Sequence, residues 1–307
     1  MSDNATTAQD DRRQTAEAYL FLAVTSLCWA GNAVLGRLAV GEVSPMMVVL
    51  ARWAGVLILC CVFLLPTLRR DWHVLKHHLP FLALLGATGF TGFNALFYLA
   101  AHGTTALNIG ILQGTIPIFV LIGSIVFHRV GVRPLQGLGV VVTLTGVITV
   151  SSGGSVDRLL ALQFNPGDLL MLCACFLYAA YAIALRNRPK VSPLSMFAVM
   201  AGAAFILSLP AAGIEAALGH HQWPTPFGWL VIGLVTLFPS FIAQILFIQG
   251  VDRIGPGRAG VFVNLVPVFA AAMAVLFLQE AFHLYHAVAL CLVLFGIYLS
   301  ERFKART

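Results

Sequence analysis

Long apolar runs alternating with short polar turns organise this chain from residue 19 to residue 303. A helix needs about 20 mostly apolar residues to cross a bilayer. On that template the sequence predicts ten spans, at roughly 19–39, 45–65, 79–101, 107–127, 135–150, 168–186, 193–213, 227–248, 259–278 and 285–303. Turns such as Val43-Ser44-Pro45 and Val191-Ser192-Pro193 separate most of them, and the one longer connection is 151–167. The first 18 residues, polar and mixed in charge, read as a disordered cytoplasmic tail, with 304–307 as a second tail. The expected fold is an all-α integral membrane protein.

One apolar stretch occurs twice. Residues 110–122 (GILQGTIPIFVLI) and 260–272 (GVFVNLVPVFAAA) lie 150 positions apart and align Gly110 with Gly260, Pro117 with Pro267 and Phe119 with Phe269. A proline inside an apolar helix removes a backbone hydrogen bond and kinks it. In lipid that is tolerated where the freed carbonyl finds a partner or faces a cavity. The duplication divides the chain into a first repeat (19–150), a linker (151–167) and a second repeat (168–303). Five spans per repeat is an odd number, so the second repeat enters the membrane from the opposite side and the two are inverted. Inverted repeats give two packings of similar energy, the basis of alternating access to a site between them.

Charge sets the orientation. Of the 18 basic residues, 15 fall on one side when the spans alternate: Arg12, Arg13, Arg69, Arg70, Lys76, Arg129, Arg133, Arg186, Arg188, Lys190, Arg253, Arg258, Arg302, Lys304 and Arg306. Basic loops stay in the cytoplasm, so both termini are expected there, in a multi-pass protein of the plasma (inner) membrane. Charged residues make up only 10% of the chain, against roughly 25% in a soluble domain. The net charge of +6 is therefore a topology signal, and nucleic-acid binding is not expected. The six cysteines lie inside apolar runs, where they act as small buried hydrophobes.

Each half resembles an EamA domain of the drug/metabolite transporter superfamily over about 19–303. The matching residues are Trp29-Ala30-Gly31-Asn32, Ser44-Pro45 with Arg52, the Gly110-to-Pro117 and Gly260-to-Pro267 runs, and Leu278-Gln279-Glu280 with Gly296. The first half departs from the family pattern where Val130 aligns with Glu280. The resemblance implies an exporter of amino acids or other small metabolites. It also implies a cavity lined by the third, fourth, eighth and ninth spans, with the first and sixth contributing and the second peripheral.

Polar and aromatic residues within the spans concentrate in those segments. Candidate substrate contacts are Trp29 and Asn32; Phe90, Asn94 and Tyr98; Gln113; Tyr178 and Tyr181; Phe241 and Gln244; and Asn264. Asn94 aligns with Gln244, a polar amide at one place in both halves, read either as a ligand pair or as interhelical hydrogen bonding. Pro117 and Pro267 are the expected hinges. Arg52 is the one formal charge deep inside an expected span. It costs roughly 2.5–3.5 kcal/mol to insert, and either meets a substrate carboxylate or binds backbone carbonyls as a structural lock.

Other classes fit less well. Gly255-Pro256-Gly257-Arg258-Ala259-Gly260 matches GxGxxG, but no strand precedes it. No HExxH, paired acids or nucleophile with its base lies in a span, which argues against an intramembrane enzyme. A drug or nucleotide-sugar carrier of the same superfamily stays open, although phosphates call for more cavity cations than Arg52. The expected partners are a small-molecule substrate and the lipid bilayer, with no cofactor or metal, in a monomer or weak dimer.

Overall fold

A computed structural model describes residues 2–128, 133–161 and 164–302. The expected tail at 304–307 lies outside the described residues, as do Arg129 and Val130. Among the described residues ten helices are long and apolar enough to cross a membrane: Gln14–Leu38, Pro45–Phe63, Leu65–Gly103, Ala106–Phe127, Pro134–Ser151, Pro166–Asn187, Pro193–Ala217, Pro226–Ile254, Arg258–Leu278 and Leu284–Arg302. They are called the first to tenth spans below. Five of them open on proline, whose missing N–H belongs to the first helical turn, where no intrahelical partner exists anyway. No strand occurs among the described residues.

Two boundaries depart from expectation. The amino-terminal segment expected to be disordered is helical, and one helix runs unbroken over Ser2–Leu38. No glycine or proline interrupts it before Gly31. Once the apolar span has nucleated a helix, each further polar residue adds one hydrogen bond for one residue fixed. The third span is also longer at its start, where the amphipathic helix Leu65–Leu75 leads through a 3-10 turn at Lys76–His78 into Leu79–Gly86. The linker 151–167 holds one short helix, Val156–Leu160.

The packing of the spans is itself two-fold. The main contacts run second to seventh, fifth to tenth, fourth to ninth, first to eighth, sixth to third, first to ninth and sixth to fourth. Exchanging each span for its counterpart five later leaves that set unchanged. Every one of these contacts joins one repeat to the other, so the repeats interlock and are not two separate bundles.

The fifth and tenth spans pair on one flank, away from the centre. A Cβ on Gly139 would lie 2.5 Å from the Gly296 carbonyl, and one on Gly296 would lie 2.5 Å from the Gly139 carbonyl. That contact requires glycine on both helices, the small-residue packing common between membrane helices. Substituting Gly296 with valine therefore forces the backbones apart at a cost of about 1–3 kcal/mol. The expected result is a lower thermal midpoint in detergent, followed by tryptophan fluorescence. An unchanged midpoint would contradict the packing.

Candidate functional site

The fourth and ninth spans are both broken, at matching residues. The fourth is helical over Ala106–Gln113 and again from Ile116, and the ninth over Pro256–Val263 and again from Val266. Pro117 and Pro267 are the second residues of the restarted helices. The gaps carry the same tightened bonds: Gly114 and Thr115 N–H donate to Ile111 and Leu112 at 3.0 Å, and Asn264 and Leu265 N–H donate to Val261 and Phe262 at 3.2 and 3.0 Å.

The carbonyl at each break is also met from the other repeat. Ser26 Oγ of the first span donates to the Phe262 carbonyl at 2.7 Å. Cys175 Sγ of the sixth span donates to the Leu112 carbonyl at 3.5 Å. Leu112 and Phe262 are aligned positions. The need to satisfy backbone groups in lipid is met twice by the same two-fold device, with a hydroxyl in one half and a thiol in the other. Ser26→Ala is expected to destabilise the protein by about 1 kcal/mol, read as a shift in its detergent melting midpoint.

The third and eighth spans share a second device. Each contains a π-helical segment, Ala87–Gly92 and Thr236–Ile242, at aligned positions. Pro239 causes it in the eighth span, and the Val235 carbonyl that loses its usual donor accepts from Ser240 Oγ. The third span has no proline here and reaches the same form over Gly86, Gly89 and Gly92. Such bulges widen one helical turn and recur at functional sites.

Breaks and bulges converge on one cavity. It has a volume of about 100 Å³, and its wall is paired across the two-fold. Gly89 faces Pro239 by alignment, Phe90 Ser240, Asn94 Gln244, Gln113 Val263, and Ile116 Val266. Trp29 and Tyr178 add the first and sixth spans. The second span, expected to be peripheral, supplies Arg52 and Trp53, and the seventh supplies Phe197. Among the described residues, none from the fifth or tenth span lines it.

Of the residues expected at a site, Trp29, Asn32, Arg52, Phe90, Asn94, Gln113, Tyr178, Gln244 and Pro267 line this cavity. Five do not. Tyr98 stands behind Arg52, with its hydroxyl 2.7 Å from Nη1. Tyr181 packs on Gly89 and Phe90, and Phe241 on the rings of Phe63 and Phe197. Asn264 turns to Glu301 at 3.4 Å. Pro117 shapes the break without reaching the space, so the two prolines are equivalent in the backbone and unequal in the lining. The sequence does not single out Trp53 or Pro239: Trp53 lies on a span expected to be peripheral, and Pro239 aligns with a glycine rather than another proline.

The chemistry of the wall is asymmetric. Arg52 is 5% exposed, and its two-fold counterpart is Met200. Its Nη1 donates to Asn32 Oδ1 at 3.1 Å and to the Tyr98 hydroxyl at 2.7 Å. The Tyr98 hydroxyl in turn donates to Asn32 Oδ1 at 3.1 Å. The Arg52 guanidinium carbon lies 5.6 Å from the centre of the Trp53 ring, within cation–π range. Trp53 stacks on Phe90 at 4.6 Å and 7°. Asn94 Nδ2 donates to the Phe90 carbonyl at 2.6 Å. Four buried polar atoms of the wall lack a protein partner: Arg52 Nε, Trp53 Nε1, Asn94 Oδ1 and Gln113 Nε2. Buried polar groups are nearly always bonded, so these four leave the wall with hydrogen-bonding capacity that the protein itself does not use.

One end of the bundle is tied across the repeats by side chains. At the end away from the amino terminus, four carboxylates reach across the repeats among the described residues. Glu280 accepts from the N–H groups of Ala106 and Leu107 at 2.8 and 2.9 Å. Asp168 accepts from Thr104 Oγ1 and from Asn108 Nδ2. Glu215 accepts from Met46 N–H at 3.1 Å, and Glu42 from Thr225 Oγ1. A carboxylate at a helix start satisfies orphan donors and meets the positive end of the helix dipole. At the opposite end Asp71 makes the comparable tie, to Ser192 N–H at 3.0 Å and Ser195 Oγ at 2.7 Å.

Comparison with known proteins agrees with this architecture. The model of the EamA-like transporter family matches twice, over residues 16–152 and 165–302. The uncharacterized transporter YetK of Bacillus subtilis is 25% identical over 289 residues, covering 92% of this chain and 86% of YetK. The uncharacterized inner membrane transporter YedA of Escherichia coli K12 is 25% identical over 300 residues, covering 94% and 91%. An uncharacterized transporter of Archaeoglobus fulgidus is 26% identical over 290 residues, covering 93% and 97%. One protein of known crystal structure shares the fold, with a TM-score of 0.63 at 19% identity over 95% of this chain and 99% of that one.

Proposed function

This chain belongs to the EamA-like transporter family, and on that premise we propose that it exports small amphipathic metabolites of the amino-acid type across the inner membrane. The substrates are short carboxylates with an apolar or aromatic body, carried by alternating access through the central cavity. The observation that carries this reading is the paired lining, supplied by eight spans and closed by residues of both repeats at breaks and bulges. Working sites in inverted-repeat transporters lie at such interrupted helices. Aromatic rings around unpartnered polar atoms suit an apolar body with a polar head. A phosphorylated substrate fits poorly, because Arg52 is the sole cation of the wall.

The bias of basic loops puts the termini in the cytoplasm, so the end tied by four carboxylates faces outward. No carboxylate of the described residues lines the cavity, which favours movement down a substrate gradient over proton coupling through the site. The inner-membrane placement accords with the naming of YedA as an inner membrane transporter. Efflux from proteoliposomes preloaded with a panel of amino acids and related carboxylates tests the proposal. Saturable efflux of apolar or aromatic members, without an imposed ion gradient, is the expected result. No efflux of any panel member, with or without a pH gradient, would overturn it.

A further inference from the structure

Resting on that transport reading, we infer that the form recognised is a net-anionic organic monocarboxylate, held on Arg52, and that an α-ammonium group takes no part in recognition.

The argument is one of charge and donors. Arg52 is buried, and no carboxylate of the described residues pairs with it. Its neighbours are an amide oxygen, a phenol and an indole face. These neutral groups solvate a guanidinium in part and leave its charge uncompensated. Both hydrogens of Nη1 are used on Asn32 and Tyr98. That leaves Nε without a protein partner among the described residues, on the edge that arginine offers in side-on, two-point pairing with a carboxylate. Asn32 and Tyr98 thus act as positioning residues, fixing the plane of the fork.

Nothing comparable exists for an ammonium. The lining residues include no Asp or Glu, and the one unpartnered buried acceptor among them is Asn94 Oδ1. A zwitterion would bring a desolvated cation into a pocket that already holds one. A monoanion neutralises the pocket. The aromatic group Trp29, Trp53, Phe90, Phe93 and Tyr178 then accepts the apolar body. With one positive charge in the empty site and none in the loaded site, each cycle of uniport moves one negative charge across the membrane. An interior-negative potential must therefore speed efflux of the anion.

The test compares 3-phenylpropionate with phenylalanine and with the uncharged 3-phenylpropionamide, using the wild-type protein in preloaded proteoliposomes. A potassium gradient with valinomycin sets the potential. Expected are a kcat/KM for 3-phenylpropionate at least about tenfold above that of phenylalanine, a difference of about 1.4 kcal/mol, and faster efflux at interior-negative potential. Arg52→Gln should lower 3-phenylpropionate transport on the order of 100-fold, as loss of a desolvated charge pair does. Arg52→Lys, which keeps the charge without the fork, should retain a measurable part. Should the Gln variant fail to fold, the wild-type comparison stands alone. Equal or better transport of phenylalanine, or anion efflux indifferent to potential, would overturn this inference and leave the export reading intact. Transport of none of the three, or of any other panel member, would overturn both.

Discussion

Replacing Glu280 with alanine is expected to lower transport by about two orders of magnitude while leaving membrane insertion intact. Its carboxylate accepts from two successive backbone N–H groups, Ala106 and Leu107, at the start of the fourth span. Hydrogen bonds to charged groups contribute about 1.5–3 kcal/mol each. Losing both leaves two orphan donors at the tip of the third-to-fourth hairpin, where Asp168 still holds Thr104 and Asn108 and Arg37 still holds the Ala101 carbonyl. A change of a few kcal/mol matches the spacing of alternating states, so the tied far end loses its advantage. Each 1.4 kcal/mol is tenfold in a population or rate. Solvent accessibility of a cysteine placed at His102, an exposed residue beside the hairpin, reports the same change without any substrate. Transport and accessibility both unchanged in Glu280→Ala would remove the carboxylate from the gate.

The second large effect belongs to the paired prolines. Alanine at Pro117 or Pro267 restores a backbone N–H that can bond the carbonyl four residues earlier, at Gln113 or Val263. Each half-helix then tends to run through its break. The Gly110 contact sets the consequence, since a Cβ there would already lie 2.3 Å from the Ala270 Cβ across the seam. A straightened fourth or ninth span has no room to settle against its partner without displacing it. Either single substitution should lower transport by about tenfold, and the double by about 100-fold, taking 1.4 kcal/mol per tenfold. Expression and detergent melting should change far less, because the helices still span. Uniform loss of folded protein in place of lost transport would make the prolines structural only.

These two effects also show which parts of the molecule the sequence reveals. The ten spans are legible because bilayer thickness fixes their length and composition. The breaks at Gly114-Thr115 and Asn264-Leu265 are legible because the same residue, proline, follows each at the same offset. The π segments are not, because one half makes the bulge with proline and the other with spaced glycines. The two halves share the backbone form and differ in its cause. The mends at the breaks are hidden for a similar reason, with Ser26 in one half and Cys175 in the other.

Side chains escaped where a face had to be chosen. Periodicity places Tyr98, Tyr181, Phe241 and Asn264 on helices that border the cavity, but each turns toward a neighbouring helix instead. A π insertion rotates everything beyond it by about a third of a turn relative to an ideal helix, so faces counted at 3.6 residues drift in the third and eighth spans. Arg52 shows the opposite case. Its cost in lipid marked it at once, yet only the structure reveals that no carboxylate of the described residues accompanies it.

Alternating access around the seam is best tested by two distances measured together. Spin labels at His102 and Phe282 report the far end, and labels at Asp252 and Arg186 report the near end, all four positions being exposed. The exposed native cysteines Cys61, Cys173 and Cys291 are replaced beforehand. Pulsed dipolar spectroscopy in nanodiscs, with and without 3-phenylpropionate, should show anticorrelated change, the far-end distance lengthening in the fraction of molecules whose near-end distance shortens. Distances that move together, or that ignore every transported solute, would contradict a carrier whose interlocked repeats open one end at a time.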